Sequence, residues 1–73
     1  MTFNKGDEFN YKYVKEYVET NKINIKELAT NIEVSESALR NWLNGKSRPY
    51  VWNAIAICVW LNIEENLVIK KMI

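Results

Sequence analysis

Residues 24–45 read NIKELATNIEVSESALRNWLNG, and the fold is decided there. Asn24 stands where a helix wants its N-cap, because its side-chain oxygen accepts an orphan backbone N–H. Glu27 follows three residues later, at the capping-box position. Ile25, Leu28, Ala29 and Ile32 then recur at i, i+3, i+4 and i+7, which predicts a helix over 25–32 with one apolar face. Ser35 is a second cap, and Glu36 puts a negative charge in the first turn, where the helix dipole favours it. Leu39, Trp42 and Leu43 line the inner side of a helix over 36–44, and Gly45 ends it by entering the left-handed region without a steric penalty. Two helices this short, joined by about three residues, must cross steeply, so the second projects from the body.

On the N-terminal side, Val14, Tyr17 and Val18 give one apolar face to a helix over 11–20. Lys12–Glu16 and Lys15–Glu19 stand one turn apart on the rest of it. Residues 21–24 break the pattern as a loop. Residues 1–9 show no periodicity and read as a flexible lead, with Phe3 and Phe9 available to dock on the body. On the C-terminal side, Pro49 punctuates the chain before a helix over 51–61. A last helical element over 64–72 begins acidic and ends in Lys70 and Lys71, in agreement with the dipole.

The expected fold class is therefore all-α: one compact bundle of about five short helices containing a helix-turn-helix, over residues 10–73. The 73 residues hold only 2 Gly and 1 Pro, which argues against a turn-rich β fold. High apolar content with mixed charge argues against disorder.

The segment INIKELATNIEVSESALRNWLNGKSRP (residues 23–49) resembles the lambda-repressor and Cro-like helix-turn-helix family. Leu28-Ala29, Val34-Ser35, Leu39, Trp42, Gly45 and the run Lys46-Ser47-Arg48-Pro49 carry the match, and the likeness extends over roughly residues 11–65. The resemblance implies five short helices with the third entering the DNA major groove. Its base-facing positions fall on Ser35, Glu36, Ser37 and Asn41, with Arg40 at the edge. Asn41 suits adenine N6 and N7, Arg40 suits guanine or a phosphate, and Glu36 suits cytosine N4. Asn44, Lys46, Ser47 and Arg48 match the loop that contacts phosphates. The plain alternative for Ser35 is a cap alone, and for the others a solvated helix face or polar loop.

The chain departs from the family pattern in several places. Ile25 stands where the family has a phosphate-touching Gln. Glu33 replaces a turn Gly and so must accept a left-handed or distorted backbone. Glu36 faces a groove bounded by negative phosphates. Val18 and Leu43 replace a family Arg–Glu pair, and such a swap of a buried ion pair for packed apolar groups is often neutral or stabilising.

The fourth helix carries too much apolar surface for one core-facing stripe. Val51, Ala54, Ile55, Cys58 and Leu61 share one side at about 100° per residue. Trp52, Ala56, Val59 and Trp60 fall on the other, where the family is charged or small. Either the tail (Leu67, Val68, Ile69, Met72, Ile73) folds over Trp52 or Trp60, or Trp60 packs inside and only Trp52 shows, or the face is a protein interface.

Charge and composition bound the function. The net charge is only +1, but Arg40, Lys46 and Arg48 against Glu36 give a local net of +2, a modest basic patch. Catalysis is the least supported class. The chain has no His and one Cys, no phosphate-cradling Gly-rich loop and no metal-ligand cluster. Glu64 and Glu65 are adjacent and would diverge on a helix, so they make poor acid/base partners. No cofactor or small-molecule substrate is expected. Cys58 reads as a core thiol. With no membrane-length apolar run and no signal-like N-terminus, a cytoplasmic setting is the expectation. Two functional classes remain. One is a small transcriptional regulator, repressor-like and phage or bacterial in type, that binds operator-like double-stranded DNA as a homodimer or as a heteromer with another regulator. The other is an antirepressor that grips a partner repressor.

Overall fold

The computed structural model describes residues 7–71. In chain order the elements are a strand β1 (Asp7–Phe9), helices α1 (Tyr11–Thr20), α2 (Ile25–Asn31), α3 (Glu36–Leu43), α4 (Val51–Leu61) and α5 (Glu65–Val68), and a strand β2 (Ile69–Lys71). The five-helix architecture is the one the sequence predicts. Added to it is a short antiparallel ribbon in which Asp7 lies opposite Lys71, Glu8 opposite Lys70 and Phe9 opposite Ile69.

The caps act as their chemistry dictates. Asn24 Oδ1 accepts from Glu27 N–H at 3.0 Å, and Ser35 Oγ accepts from Ala38 N–H at 3.0 Å. A third cap, Asn10, accepts from Tyr13 N–H at 3.3 Å and donates its amide to Leu67 O at 3.0 Å, so it opens α1 and clamps it to α5. Four helices end in the same way. The backbone N–H groups of Ile23, Val34, Lys46 and Ile63 each reach back five residues to a carbonyl at 2.9 Å, and the preceding residue is left-handed. That residue is Gly only at Gly45. At Lys22, Glu33 and Asn62 a side chain accepts φ between 54 and 61°, at a cost of roughly 1–2 kcal/mol for Lys or Glu. The strained turn expected at Glu33 is thus present, with φ of 61°.

The core draws on every element from Phe9 to Ile69. Val14 and Val18 from α1, Leu28 and Ala29 from α2, Leu39, Trp42 and Leu43 from α3, and Ala54, Ile57, Cys58 and Leu61 from α4 close on one another. Val18 and Leu43, in place of a family ion pair, are both buried. No charged side chain is buried among the described residues. The Tyr17 hydroxyl donates to Leu61 O at 3.0 Å and fastens the end of α4 to α1.

Three expectations change. Of the lead over residues 1–9, residues 7–9 form β1, and Phe9 is buried opposite Ile69; the lead as a single flexible segment does not hold for these three, and Phe3 lies outside the described residues. The last helix stops at Val68, because residues 69–71 pair with β1, and a strand and a helix cannot share one backbone. Within α4, Ile57 is the fully buried isoleucine and Ile55 is exposed. Ala54, Ile57, Cys58 and Leu61 form a stripe at helical spacing as good as the predicted one. A helix apolar on both sides offers two such stripes, and only the partner surface selects between them.

Candidate nucleic-acid interface

Helix α3 is divided cleanly. Leu39, Trp42 and Leu43 are buried, whereas Ser37, Arg40, Asn41 and Asn44 are exposed. The burial of Leu39 at the centre of the core fixes the rotation of the helix and so turns this polar edge outward. Gly45 makes the turn that brings Lys46 back beside it. One shallow groove of about 490 Å³ is lined by Glu36, Ser37, Arg40, Asn41, Asn44 and Lys46. The structure therefore gathers six of the nine positions singled out from the sequence onto one surface.

The other three lie around it. Ser35 is exposed and its hydroxyl is occupied as the α3 cap. Ser47 and Arg48 line a neighbouring hollow of about 220 Å³ with Phe9, Tyr11 and Gly45. That hollow explains why position 45 is glycine for more than its φ of +75°. A Cβ there would sit 2.7 Å from the Tyr11 ring.

Two contacts alter the electrostatics read from the sequence. Arg40 Nη2 lies 2.8 Å from Glu36 Oε2, and Arg40 Nε donates to the same oxygen at 2.9 Å. The pair cancels one of the local positive charges. It is an exposed i,i+4 bridge, worth about 0.5 kcal/mol or less, so an incoming phosphate or base can displace it. Conversely, Lys15 on α1 donates to Asn44 Oδ1 at 3.1 Å. This places a cation at the C-terminal end of α3 that sequence reading assigned only to a helix pair with Glu19. The available signal was phase: Lys15 follows buried Val14, so it flanks the side of α1 that meets α3.

A second surface lies on α4. Trp52, Val59 and Trp60 are 50, 72 and 55% exposed, and Ala56 between them is half-buried. Both tryptophans are open, which removes the arrangement with Trp60 inside. Nor do the described residues of the tail cover them: Val68 and Ile69 enter the core and Leu67 is exposed, while Met72 and Ile73 lie outside the described residues. Two further members are not evident from the sequence. Ile55 falls on the stripe expected to face the core but is exposed. Tyr50 follows Pro49 outside the helical pattern, yet its ring stacks on Trp52 at 4.6 Å and 21°.

Among the described residues no group of three His, Cys, Asp or Glu is placed to hold a metal ion. No described helix is long and apolar enough to cross a membrane. Burial pushes the Cys58 thiol above its ordinary pKa, with the Glu65 carboxylate acting in the same direction, and this keeps it protonated and unreactive.

The sequence matches a known protein family. A family model described as helix-turn-helix covers residues 14–65, from the middle of α1 to the start of α5. No curated protein matches the chain.

Proposed function

Since the chain belongs to the lambda-repressor and Cro-like helix-turn-helix family, one of DNA-binding transcriptional regulators, we propose that it reads double-stranded DNA with α3 and engages a protein partner through the outer face of α4. The observation that carries the DNA half is the groove in which Asn41, Ser37 and Lys46 converge on the exposed edge of a helix whose opposite edge is locked in the core. In this reading Asn41 contacts adenine, and Ser35 and Ser37 contact base edges near the start of α3. Glu36 and Arg40 exchange their mutual bond for cytosine N4 and for guanine or phosphate. Asn44, Lys46, Ser47 and Arg48 hold the backbone of the duplex, with backbone N–H groups of the turn assisting. Lys15 joins them as a further phosphate contact. No catalytic step, cofactor or small-molecule substrate belongs to this reading, and its setting is the cytoplasm.

Fluorescence anisotropy against duplexes tiled across the chain's own promoter region tests it. Binding should weaken steeply with added salt. Asn41→Ala should cost about 1–3 kcal/mol on the preferred duplex and relax base choice at one position, whereas Lys46→Ala should weaken all duplexes alike and lower the salt slope by about one. Equal affinity for every duplex, unchanged by Asn41→Ala, would remove α3 as a reading element.

A second reading has its own support. The Glu36–Arg40 bond and the net charge of +1 leave little excess positive charge for a phosphate backbone. An antirepressor would use the same fold to grip a partner repressor and alter that protein's DNA binding. A gel shift separates the two, since an antirepressor changes only the shift produced by its partner.

A further inference from the structure

We infer that the hollow between α1, the start of α2 and the end of α3 binds a small amphipathic organic anion, a carboxylate carrying one ring or a branched hydrocarbon group. The ligand is held unchanged, as an effector rather than a substrate. The hollow has a volume of about 220 Å³. A cavity of roughly 150 Å³ accommodates benzene, so the space suits one ring together with its carboxylate. Val18 and Leu43, both buried, form the floor, and the half-buried Ile23 and Ile25 line it as well. Hydrocarbon entering the hollow removes these four aliphatic side chains from water. A phosphate ion, hydrated and without hydrocarbon, gains nothing from such a floor.

The rim supplies the charge. Lys15, Lys22 and Arg40 stand exposed around the hollow and Glu19 opposes them, a net of +2 among its described lining residues. Donors remain for a ligand. The Lys15 ammonium directs one N–H to Asn44 Oδ1 at 3.1 Å, and an ammonium has three. Arg40 turns Nε and Nη2 to Glu36, and a guanidinium has five N–H groups. Aliphatic side chains beneath cations disfavour neutral, cationic and purely inorganic guests alike. A carboxylate with a hydrocarbon body satisfies both halves. Position gives the ligand a consequence. Arg40 and Asn44 line both this hollow and the α3 groove. A carboxylate held here draws Lys15 and Arg40 away from phosphates and sets a negative charge beside them, so ligand and duplex weaken each other's binding. That consequence rests on the proposed DNA reading of α3, whereas the site itself does not.

An NMR titration of the ¹⁵N-labelled full chain without DNA tests the site, with 4-methylbenzoate as the ligand. The amides of Val18, Ile23, Ile25 and Leu43 should shift saturably, with a dissociation constant on the order of 1 mM, as befits about ten heavy atoms in an open hollow. The neutral 4-methylbenzamide should bind at least about tenfold more weakly, because it forgoes the charge-assisted bonds. Acetate and inorganic phosphate, which have charge without a ring, should not saturate. Lys22→Gly removes a rim cation and suits the φ of 54° at that position, so it should weaken 4-methylbenzoate at least about threefold without lowering the melting temperature. Lys26→Gln, exposed on α2 and outside the hollow, should leave binding as it is. Absence of saturation below about 20 mM, far above the expected constant, overturns the inference. So does equal binding of acid and amide, or a shift pattern centred on Trp52 and Trp60. The consequence for DNA is read apart, by adding 4-methylbenzoate to the anisotropy assay at constant ionic strength. Duplex affinity should fall as the hollow fills, and an unmoved affinity overturns the antagonism. If the chain binds no duplex, the DNA reading fails and the titration still decides the site.

Discussion

Helices α3 and α4 are neighbours in sequence and differ most in what they show to solvent. Each buries a stripe: Leu39, Trp42 and Leu43 on one, Ala54, Ile57, Cys58 and Leu61 on the other. The outer side of α3 is Ser37, Arg40, Asn41 and Asn44, whereas that of α4 is Trp52, Ile55, Val59 and Trp60. The inner stripes fix how both helices sit, and the outer sides decide what each can meet. A polar edge beside Lys46 suits a hydrated, charged polymer. A neutral aromatic edge suits a surface from which water can be expelled.

The sharpest way to break this comparison is to attack the inner stripes. Leu39→Ala and Ile57→Ala should each lose about 3 kcal/mol in urea denaturation, a large part of the stability of so small a domain. A loss below about 0.5 kcal/mol for Ile57→Ala, a value typical of surface sites, would mean that α4 presents its other stripe to the core, and the proposed interface would vanish with it. The ends of the two helices give the next effect. Gly45→Ala should cost about 2 kcal/mol, because φ is +75° and the new methyl meets the Tyr11 ring. Asn62→Gly at the matching position after α4 should gain about 0.5 kcal/mol, since Asn tolerates the left-handed region less well than Gly. Both are read from denaturation midpoints. The smallest change sharpens the polar side. Glu36→Gln releases Arg40 and removes a charge facing phosphate, so it should shift stability by no more than about 0.5 kcal/mol and tighten binding to random duplex roughly threefold at low salt. Unchanged affinity by anisotropy would place the Glu36–Arg40 pair away from the DNA backbone.

The same contrast explains what could be read from the amino-acid order. Where a helix has one apolar side, as α2 and α3 do, periodicity names the buried residues, and the caps Asn24 and Ser35 mark the beginnings. The residues of the α3 groove were named by the family resemblance, and the phase of the helix turns the same edge outward, so six of the expected residues meet there. In α4 the rule had nothing to separate, because apolar residues surround the helix, and Ile55 and Ile57 changed places. The pairing of Phe9 with Ile69 was hidden for a different reason. Local propensity carries no record of a partner about sixty residues away, and strands of three residues leave almost no alternation to detect. The Lys15–Asn44 and Arg40–Glu36 contacts depend on side-chain reach. Spacing permits both, and only packing selects them.

The ribbon that pairs Asp7–Phe9 with Ile69–Lys71 leaves the two extremities of the described chain side by side, about 5 Å apart across a strand pair. Topologically the domain is almost a ring. A short bridge across that gap, with the backbone reopened in the exposed turn at residues 21–22, would preserve every helix and every neighbour while changing which residue is first. The order of the elements in space thus depends little on the point at which the polypeptide is taken to start.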